Sequence, residues 1–377
     1  MNTSLLKELH SFGQSIWLDY INRAMIKSGK LEKMIGLGVS GMTSNPSIFN
    51  QVISSTADYD DSIAELKDLG KTTFEIYDEL TVNDIQQAAD AFLPVYQSTD
   101  KNDGYVSLEI NPLLAHNVSE QIKEGIRLHS KVNRRNLMVK VPSTKEGITV
   151  IEELTARGIN VNATLIFSIQ QYESVVKAYL SGMKKLLESG KPLKEVRSVA
   201  SVFVSRIDTV SDKALESLLQ SGIKPKEKEK VIALQGTAAV ANSRLMYETY
   251  RNLFESKEFI SLAQEEGHVQ RLLWASTGTK NPKYSEIKYV SELIAKFTVN
   301  TVPENTLNAF ILHGKVKDAF NYDAKGSLNA INSLKSYGVD INQICDNLLK
   351  EGVNSFEKAF ESLLNSIETK SAQIIKK

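Results

Sequence analysis

Residues 136–144, with the sequence NLMVKVPST, are the segment that decides the fold. Leu137, Val139 and Val141 occupy every second position, which is the period of a β-strand. The positions between them are apolar as well, apart from Lys140. A strand that is apolar on both faces is typical of a parallel sheet covered by helices on each side. The segment therefore predicts a buried parallel strand with a positive charge in its middle.

Lys140 has two interpretations. In the first, the ammonium group reaches solvent at a strand end or pairs with a carboxylate, because lysines are rarely buried unless they are paired. In the second, apolar surroundings disfavour the charged form and lower the pKa of the amine, and a neutral amine can attack a carbonyl carbon to form a Schiff base. The rest of the sequence has to decide between them.

Seven further segments share the apolar character of this strand. The eight predicted strands are residues 15–20, 39–45, 105–111, 136–141, 161–167, 196–204, 271–277 and 297–302. Most are followed by a segment with apolar residues at every third or fourth position and a closing glycine, the pattern of an amphipathic helix. Eight strand–helix units predict an α/β protein with a (β/α)8 TIM barrel. A doubly wound sheet is the alternative, but neither a dinucleotide-binding glycine motif nor a glycine-rich phosphate loop follows any of these strands.

The spacing of the strands predicts a single barrel domain over residues 1–377. The intervals after the second and sixth strands are longer than one crossover needs, and they predict helical insertions at about 50–100 and 208–270. The lysine-rich residues 224–230 are interpreted as a solvated helix start. Residues from about 328 to 377 predict additional C-terminal helices that pack on the outside of the barrel.

Composition argues against several classes of function. The 45 basic residues are balanced by 45 acidic ones, so the overall positive field of a nucleic-acid-binding protein is not expected and a small substrate is. Cys345 is the only cysteine and the five histidines are scattered, so neither a disulfide nor a metal site is expected. No long apolar run and no leader pattern are visible, which predicts a cytoplasmic protein without a membrane span.

Polar residues recur near the C-terminal ends of the predicted strands. They are Asp19, Asn45, Glu109, Lys140, Asn162 and Thr164, with Ser201 and Arg206 on and just after the sixth strand. Taken alone, an Asn before a proline usually caps a helix, and a Ser or Thr in a strand is usually a satisfied polar group. In a barrel, however, these strand ends meet at one mouth. A lysine, carboxylates, amides, hydroxyls and an arginine around one cavity predict Schiff-base chemistry on a phosphorylated sugar.

The motifs around these residues resemble those of the transaldolases. They are TSNPSIF (43–49), SLEINP, NLMVKVPST, GINVNATLIFS (158–168) and SVFVSRID (201–208). The resemblance extends from about residue 15 to 310 and is closest to the longer bacterial transaldolases of the pentose phosphate pathway. It implies a barrel enzyme that moves a dihydroxyacetone unit from sedoheptulose 7-phosphate to glyceraldehyde 3-phosphate, giving erythrose 4-phosphate and fructose 6-phosphate. It implies no cofactor, no metal and no partners beyond phosphorylated sugars, and it is compatible with a homodimer.

The resemblance also implies catalytic roles. Lys140 matches the Schiff-base lysine of the family, and Asp19 matches the acid–base group that takes the proton from the hydroxyl next to the broken bond. Glu109 matches the carboxylate that works with Thr164 through a water while the carbinolamine forms and collapses. A protonated imine is an electron sink, so the cleavage leaves an enamine instead of a bare carbanion.

Substrate-binding roles follow in the same way. Asn45, Asn162 and Ser201 match positions that hold the donor hydroxyls, and Arg206 matches a phosphate ligand. The chain departs from the shorter members of the family after the seventh strand, where they carry an arginine and this sequence has Gly278 and Lys280. We expect Lys280 to serve as a point charge without the bidentate fork of arginine, the alternative being a solvated loop lysine.

Two rival functions stay open on the sequence alone. One is a Schiff-base fructose 6-phosphate aldolase that releases free dihydroxyacetone; Phe203 favours transfer, because an apolar wall keeps water from the enamine. The other is a catalytically silent barrel that senses sugar phosphates. Binding alone needs no nucleophile, so Lys140 together with Asp19 and Glu109 argues against the sensor.

Overall fold

The computed structural model describes residues 4–320 and 324–374. Within these ranges eight parallel strands close into a barrel, each paired with its neighbours in chain order and the last paired with the first. The strands are β1 Gln14–Asp19, β2 Met42–Thr43, β3 Val106–Glu109, β4 Leu137–Pro142, β5 Val161–Ile166, β6 Ser198–Phe203, β7 Gln270–Ala275 and β8 Thr298–Val302. The predicted (β/α)8 TIM barrel is confirmed.

Helices surround the barrel and fill the intervals between the strands. They are α1 Leu5–Phe12, α2 Arg23–Lys27, α3 Lys30–Leu37, α4 Pro46–Ser55, α5 Asp60–Asp68, α6 Thr73–Ser98, α7 Val118–Val132, α8 Lys145–Thr155, α9 Ile169–Glu188, α10 Ser205–Gln220, α11 Pro225–Leu234, α12 Ala238–Phe254, α13 Lys257–Gln264, α14 Lys288–Ser291, α15 Glu304–His313, α16 Ala324–Ser336 and α17 Ile341–Ile374. A 3₁₀ helix at Pro112–Leu114 follows β3. None of the described helices is long and apolar enough to cross a membrane.

Several strands are shorter than the sequence predicts, and caps explain where β2 and β3 end. Asn45 ends β2 by accepting a hydrogen bond from Ile48 N and thereby starting α4. Asn111 acts in the same way after β3, where its side chain accepts from Leu113 N. The side chain of an N-cap satisfies an amide that the first helical turn leaves unpaired, so the chain leaves the sheet at that residue.

Helices occupy both intervals in which the sequence predicts insertions. α4, α5 and α6 lie between β2 and β3, and α10 to α13 lie between β6 and β7. α11 begins inside the lysine-rich residues 224–230, whose side chains are mostly exposed, as the interpretation as a solvated helix start requires. Cys345 lies buried in α17, in agreement with a core position.

The sequence predicts C-terminal helices on the outside of the barrel, and the structure places α17 over one of its ends. This helix contacts β5, α4, α10 and the 3₁₀ helix after β3, so it crosses the C-terminal end of the barrel. The approach is close at Gly352, where an added Cβ would lie 3.0 Å from a methyl carbon of Leu165. The reason is that the buried apolar face of α17, which includes Val353 and Phe356, covers this end of the barrel. The last predicted residues, 375–377, lie outside the described part of the chain.

The opposite end of the barrel is closed by a buried polar cluster around Asp103. Its carboxylate accepts hydrogen bonds from Ser15 Oγ at 2.6 Å and from Trp17 Nε1 at 2.8 Å, and Arg271 Nη1 lies 3.3 Å away. The cluster joins β1 to β7 and leaves the C-terminal ends of the strands as the accessible mouth. Residues at the N-terminal ends of the strands of such a barrel generally contribute to stability, whereas the functional residues lie at the C-terminal ends.

Candidate active site

Three adjacent strands place three of the predicted site residues side by side. Glu109 on β3 pairs with Lys140 on β4, and Lys140 pairs with Asn162 on β5. Directly paired residues of neighbouring parallel strands lie on the same face of the sheet. The apolar strand quoted at the outset therefore carries its lysine between a carboxylate and an amide.

Lys140 is both buried and paired, which combines parts of its two interpretations. The residue is 4% exposed, and its Nζ donates a hydrogen bond to the backbone oxygen of Ser44 at 3.0 Å. Glu109 Oε2 lies 3.7 Å from the same nitrogen, at ion-pair distance. The amine is thus held in a fixed position with a proton acceptor beside it.

The carboxyl group of Glu109 has an unusual pKa. Desolvation by burial raises the pKa of Glu109 to about 7, although the positive charge of Lys140 acts in the opposite direction. Glu109 Oε2 has no hydrogen-bond partner among the described residues. A carboxyl group with these properties can both accept and return a proton near neutral pH, as a general acid–base group must.

Asp19 stands at the end of β1 and is only partly buried. Its carboxylate accepts a hydrogen bond from Thr43 Oγ1 at 2.8 Å, and Thr43 is itself hydrogen-bonded to Thr301 at 2.7 Å. Desolvation raises the pKa of Asp19, while the charges of Lys140 and Lys280 and the hydrogen bond from Thr43 lower it. The carboxylate is oriented by hydroxyls from β2 and β8 and faces both lysines.

A chain of buried polar side chains lies behind the lysine. Ser201 Oγ donates to Asn162 Oδ1 at 2.6 Å, and Asn162 Nδ2 donates to Ser107 Oγ at 2.9 Å. These bonds fix the orientation of the Asn162 amide. Thr164 is fully buried on the same strand, and its hydroxyl has no hydrogen-bond partner among the described residues. An unpaired buried hydroxyl is costly, so it is suited to contact a water or a substrate.

A cavity of about 160 Å³ opens next to Lys140 at the C-terminal end of the barrel. Of the nine predicted site residues, six line it: Asp19, Asn45, Lys140, Ser201, Arg206 and Lys280. Glu109 lines a smaller neighbouring cavity of about 10 Å³. Asn162 and Thr164 line neither cavity, and both are fully buried. Asn45 is both a helix cap and a wall of the cavity, because only its Oδ1 is used by Ile48 N.

The outer part of the cavity is cationic. Arg206 lies at the start of α10, where burial lowers the pKa of its guanidinium and the charge of Glu351 on α17 raises it. The guanidinium carbon lies 5.4 Å from the ring centre of Phe203. Lys280 lies in the loop after β7, on the same cavity. Two cations at one rim form a suitable site for a phosphate group.

Several residues on the cavity wall were missed by the sequence analysis, among them Ser276 and Phe356. Ser276 follows β7 and has a φ of 54°, and the rule that strand ends line the mouth could have identified it. Phe356 comes from α17, far along the chain, and lies with its ring centre 6.0 Å from Lys140 Nζ. Its position in the apolar stripe of a helix gave no signal, because that stripe also predicts ordinary core packing.

Comparisons with known proteins place the chain in a family. Residues 16–367 match the family Transaldolase/Fructose-6-phosphate aldolase. The chain belongs to this family. A Saccharopolyspora erythraea protein named Transaldolase is 44% identical over 366 residues, which is 97% of each chain. Proteins named Transaldolase 2 from Nostoc sp. and Transaldolase from Mycobacterium tuberculosis are each 41% identical, over 97% and 95% of each chain.

These findings confirm the predicted family and the predicted class of enzyme. They also show that the transaldolase likeness covers α17 as well as the barrel, beyond the range of about 15 to 310 inferred from the motifs. Among the residues that the structure describes, no group of three or more His, Cys, Asp or Glu side chains is arranged to hold a metal ion.

Proposed function

We propose that this enzyme of the transaldolase type transfers a dihydroxyacetone unit from sedoheptulose 7-phosphate to glyceraldehyde 3-phosphate through a Schiff base on Lys140. The products are erythrose 4-phosphate and fructose 6-phosphate. One observation carries the proposal: the buried Nζ of Lys140 lies 3.7 Å from Glu109 Oε2, on a cavity that also carries Asp19 and two cations. Binding alone would not require a nucleophile with its own proton acceptor.

The first step forms the Schiff base. Glu109, with a pKa raised to about 7, takes a proton from the lysine, and the neutral amine attacks the ketone carbon of the donor. The resulting carbinolamine loses water when Glu109 returns a proton to the departing hydroxyl. The unpaired hydroxyl of Thr164 supports the role of this side chain in holding the water that enters or leaves.

The second step breaks a carbon–carbon bond. Asp19 removes the proton from the hydroxyl next to that bond, the aldehyde fragment leaves, and the electron pair passes to the iminium to give an enamine. The acceptor aldehyde then takes the place of the first product. The enamine carbon attacks its carbonyl carbon, and Asp19 gives the proton to the new hydroxyl. Hydrolysis of the last imine frees the product and the amine.

Binding residues hold the sugar in place for these steps. Asn45, Asn162 and Ser201 are proposed to contact the donor hydroxyls, with the Asn162 amide oriented by its bonds to Ser201 and Ser107. Arg206 and Lys280 are proposed to bind the phosphate, together with the Ser276 hydroxyl on the same wall. Holding the reacting atoms in register lowers the barrier by removing rotational and translational freedom in advance.

Reductive trapping tests the proposal directly. Borohydride added together with fructose 6-phosphate should reduce the imine, inactivate the enzyme and leave an adduct on Lys140 that peptide mass mapping locates. Borohydride without sugar should leave the activity intact. Lys140→Met should form no adduct and have no activity, whereas Lys145→Met, a change at an exposed lysine at the start of α8, should behave as wild type. An adduct at another lysine, or activity in Lys140→Met, would remove the mechanism.

A second candidate function is an aldolase that releases free dihydroxyacetone from fructose 6-phosphate. The family description names both activities, so family membership does not separate them. The apolar wall at Phe203 favours transfer. The assay is consumption of fructose 6-phosphate without any acceptor: a transferase stops after about one equivalent per site, and an aldolase continues.

Location and assembly complete the proposal. We propose that the protein acts in the cytoplasm, where soluble phosphorylated sugars are metabolised, and cell fractionation would test this. Homodimerisation is proposed only on the ground of the family resemblance. Light scattering on the purified protein decides it, and a mass of about 42 kDa, that of one chain, would reject it.

A further inference from the structure

The C-terminal helix contributes one aromatic side chain to the reacting nitrogen. Phe356 is 5% exposed, and the centre of its ring lies 6.0 Å from Lys140 Nζ. The same side chain lines both cavities, the larger one beside Lys140 and the smaller one beside Glu109. The ring therefore lies where the two cavities adjoin, next to the proposed nucleophile Lys140 and its proton acceptor Glu109.

Contacts on either side hold this part of α17 against the barrel. At Gly352, one turn earlier, an added Cβ would lie 3.0 Å from Leu165 and 3.8 Å from Arg206 Nη1. One turn later, the buried Phe360 packs edge-on against Tyr77, with 5.0 Å between the ring centres. Phe356 therefore lies between two packed positions of the same helix, and the cover over Lys140 is part of the folded structure.

The enamine has two possible fates once the first aldehyde has left. In transfer, its nucleophilic carbon attacks the acceptor aldehyde, forming a carbon–carbon bond while the carbonyl oxygen takes a proton. In release, that carbon instead takes a proton from solvent, which regenerates the iminium. Water then adds to the imine carbon, the carbon–nitrogen bond breaks with its electron pair returning to Lys140, and free dihydroxyacetone departs. Protonation from solvent before the acceptor arrives is thus the step that diverts the fragment.

We propose that Phe356 is a specificity-determining residue that favours transfer over release. Its ring covers the Lys140 nitrogen and excludes bulk water from the enamine bound there, while the small cavity beside Glu109 is of the size that holds a single water for imine hydrolysis. The face of the ring also stabilises the positive charge of the iminium. This inference rests on the proposed Schiff-base function and gives the C-terminal helix a part in it.

The test compares Phe356→Leu with Phe259→Leu, which removes the same atoms from a buried ring on α13 that packs edge-on against Phe254 and lines neither cavity. Each enzyme receives fructose 6-phosphate in D₂O, first without acceptor and then with erythrose 4-phosphate. Mass spectrometry measures free dihydroxyacetone carrying carbon-bound deuterium, and the sedoheptulose 7-phosphate formed gives the rate of transfer. The ratio of release to transfer should rise about tenfold in Phe356→Leu and stay within about twofold of wild type in Phe259→Leu.

The outcomes separate the possible explanations. An unchanged ratio in Phe356→Leu overturns the inference, and so does an equal rise in both variants, because that would indicate a general effect of losing a buried ring. Phe356→Met, a change that nearly conserves volume, should give a smaller rise and serves if the leucine variant does not fold. Borohydride trapping of the wild type distinguishes the two proposals. Without an adduct on Lys140 both fail, whereas an adduct with an unchanged ratio rejects only the role of Phe356.

Discussion

Among single side chains, Glu109 places the strongest constraint on the chemistry. A carboxyl group next to a lysine would ordinarily be a stable anion, and desolvation acts against that by raising its pKa to about 7. Its partner at 3.7 Å is the proposed nucleophile, so the proton that leaves Lys140 has an acceptor at ion-pair distance. Burial, which costs stability, is here the source of reactivity near neutral pH.

This property predicts an acid limb in the pH dependence of the reaction. Because only ionised Glu109 accepts the lysine proton, kcat/KM should fall about tenfold for each pH unit below about 7. Glu109→Gln should lower kcat/KM by about 10²-fold or more and lose this limb. Steady-state assays with fructose 6-phosphate and erythrose 4-phosphate measure both. Glu120→Gln, at a half-exposed position on α7 away from the cavity, should keep the wild-type profile. A wild-type rate that stays flat to about pH 5 would contradict the assignment.

Among the secondary-structure elements, the strands were predictable and the helix over the mouth was not. The alternation in NLMVKVPST and the caps that shorten β2 and β3 depend only on neighbouring residues. Strand positions and caps can therefore be predicted from a single sequence. The parity of Glu109 and Lys140 followed from the same period. The position of Phe356 depends on contacts between α17 and elements that are distant in the chain. The helical period of α17 predicts only that one face of the helix is buried, not which elements bury it.

The first turn of α8, which follows β4, should be intolerant of a single methyl group at Gly147. Gly147 N donates to the Thr144 cap, and an added Cβ would lie 1.8 Å from the backbone oxygen of Pro142, two residues after Lys140. Backbone cannot move aside as a flexible side chain does, so Gly147→Ala should lower the free energy of unfolding by about 3 kcal/mol or more. Displacement of the end of β4 should also lower activity. Denaturant unfolding monitored by circular dichroism gives the stability.

The matched control is Gly36→Ala in α3. Gly36 is exposed and has no atom within 4 Å of an added Cβ, so the change should be neutral or should stabilise the protein by up to ~1 kcal/mol through helix propensity. Equal unfolding midpoints for the two variants would show that the contact between Gly147 and Pro142 does not matter to stability.

For the protein as a whole, α17 connects parts that the chain order separates. It contacts α4, α5 and α6 of the first insertion, α10 after β6, and the end of the barrel. We propose on this ground that the insertions and the barrel form one domain and unfold together. The long helix then links global stability to the cover over Lys140, because the contacts that hold Phe356 also hold the first insertion on the barrel.

The buried Asp208 on α10 also connects elements that the chain order separates. Its carboxylate accepts hydrogen bonds from Ala239 N at 2.7 Å and from Tyr289 Oη at 2.8 Å, and so joins α10 to α12 and α14. Desolvation raises the pKa of Asp208 to about 6; Asp212 contributes in the same direction, and the two hydrogen bonds and Lys288 oppose it. The folded protein therefore holds a proton on Asp208 more tightly than the unfolded chain does.

The sign of the resulting pH effect follows from this difference in proton binding. Below an unfolded pKa of about 4 both states are protonated, and as the pH rises through about 6 the folded state loses the proton it favours, so this contribution to stability is lost. Between about pH 7 and pH 4.5 the wild type should therefore gain ~2 kcal/mol of unfolding free energy relative to Asp208→Asn, which keeps an acceptor for Ala239 N but cannot titrate. Denaturant unfolding of both proteins at each pH measures the difference. Asp68→Asn, at an exposed position on α5, should run parallel to the wild type. Parallel curves for Asp208→Asn and the wild type would mean that Asp208 does not carry the proton across this range.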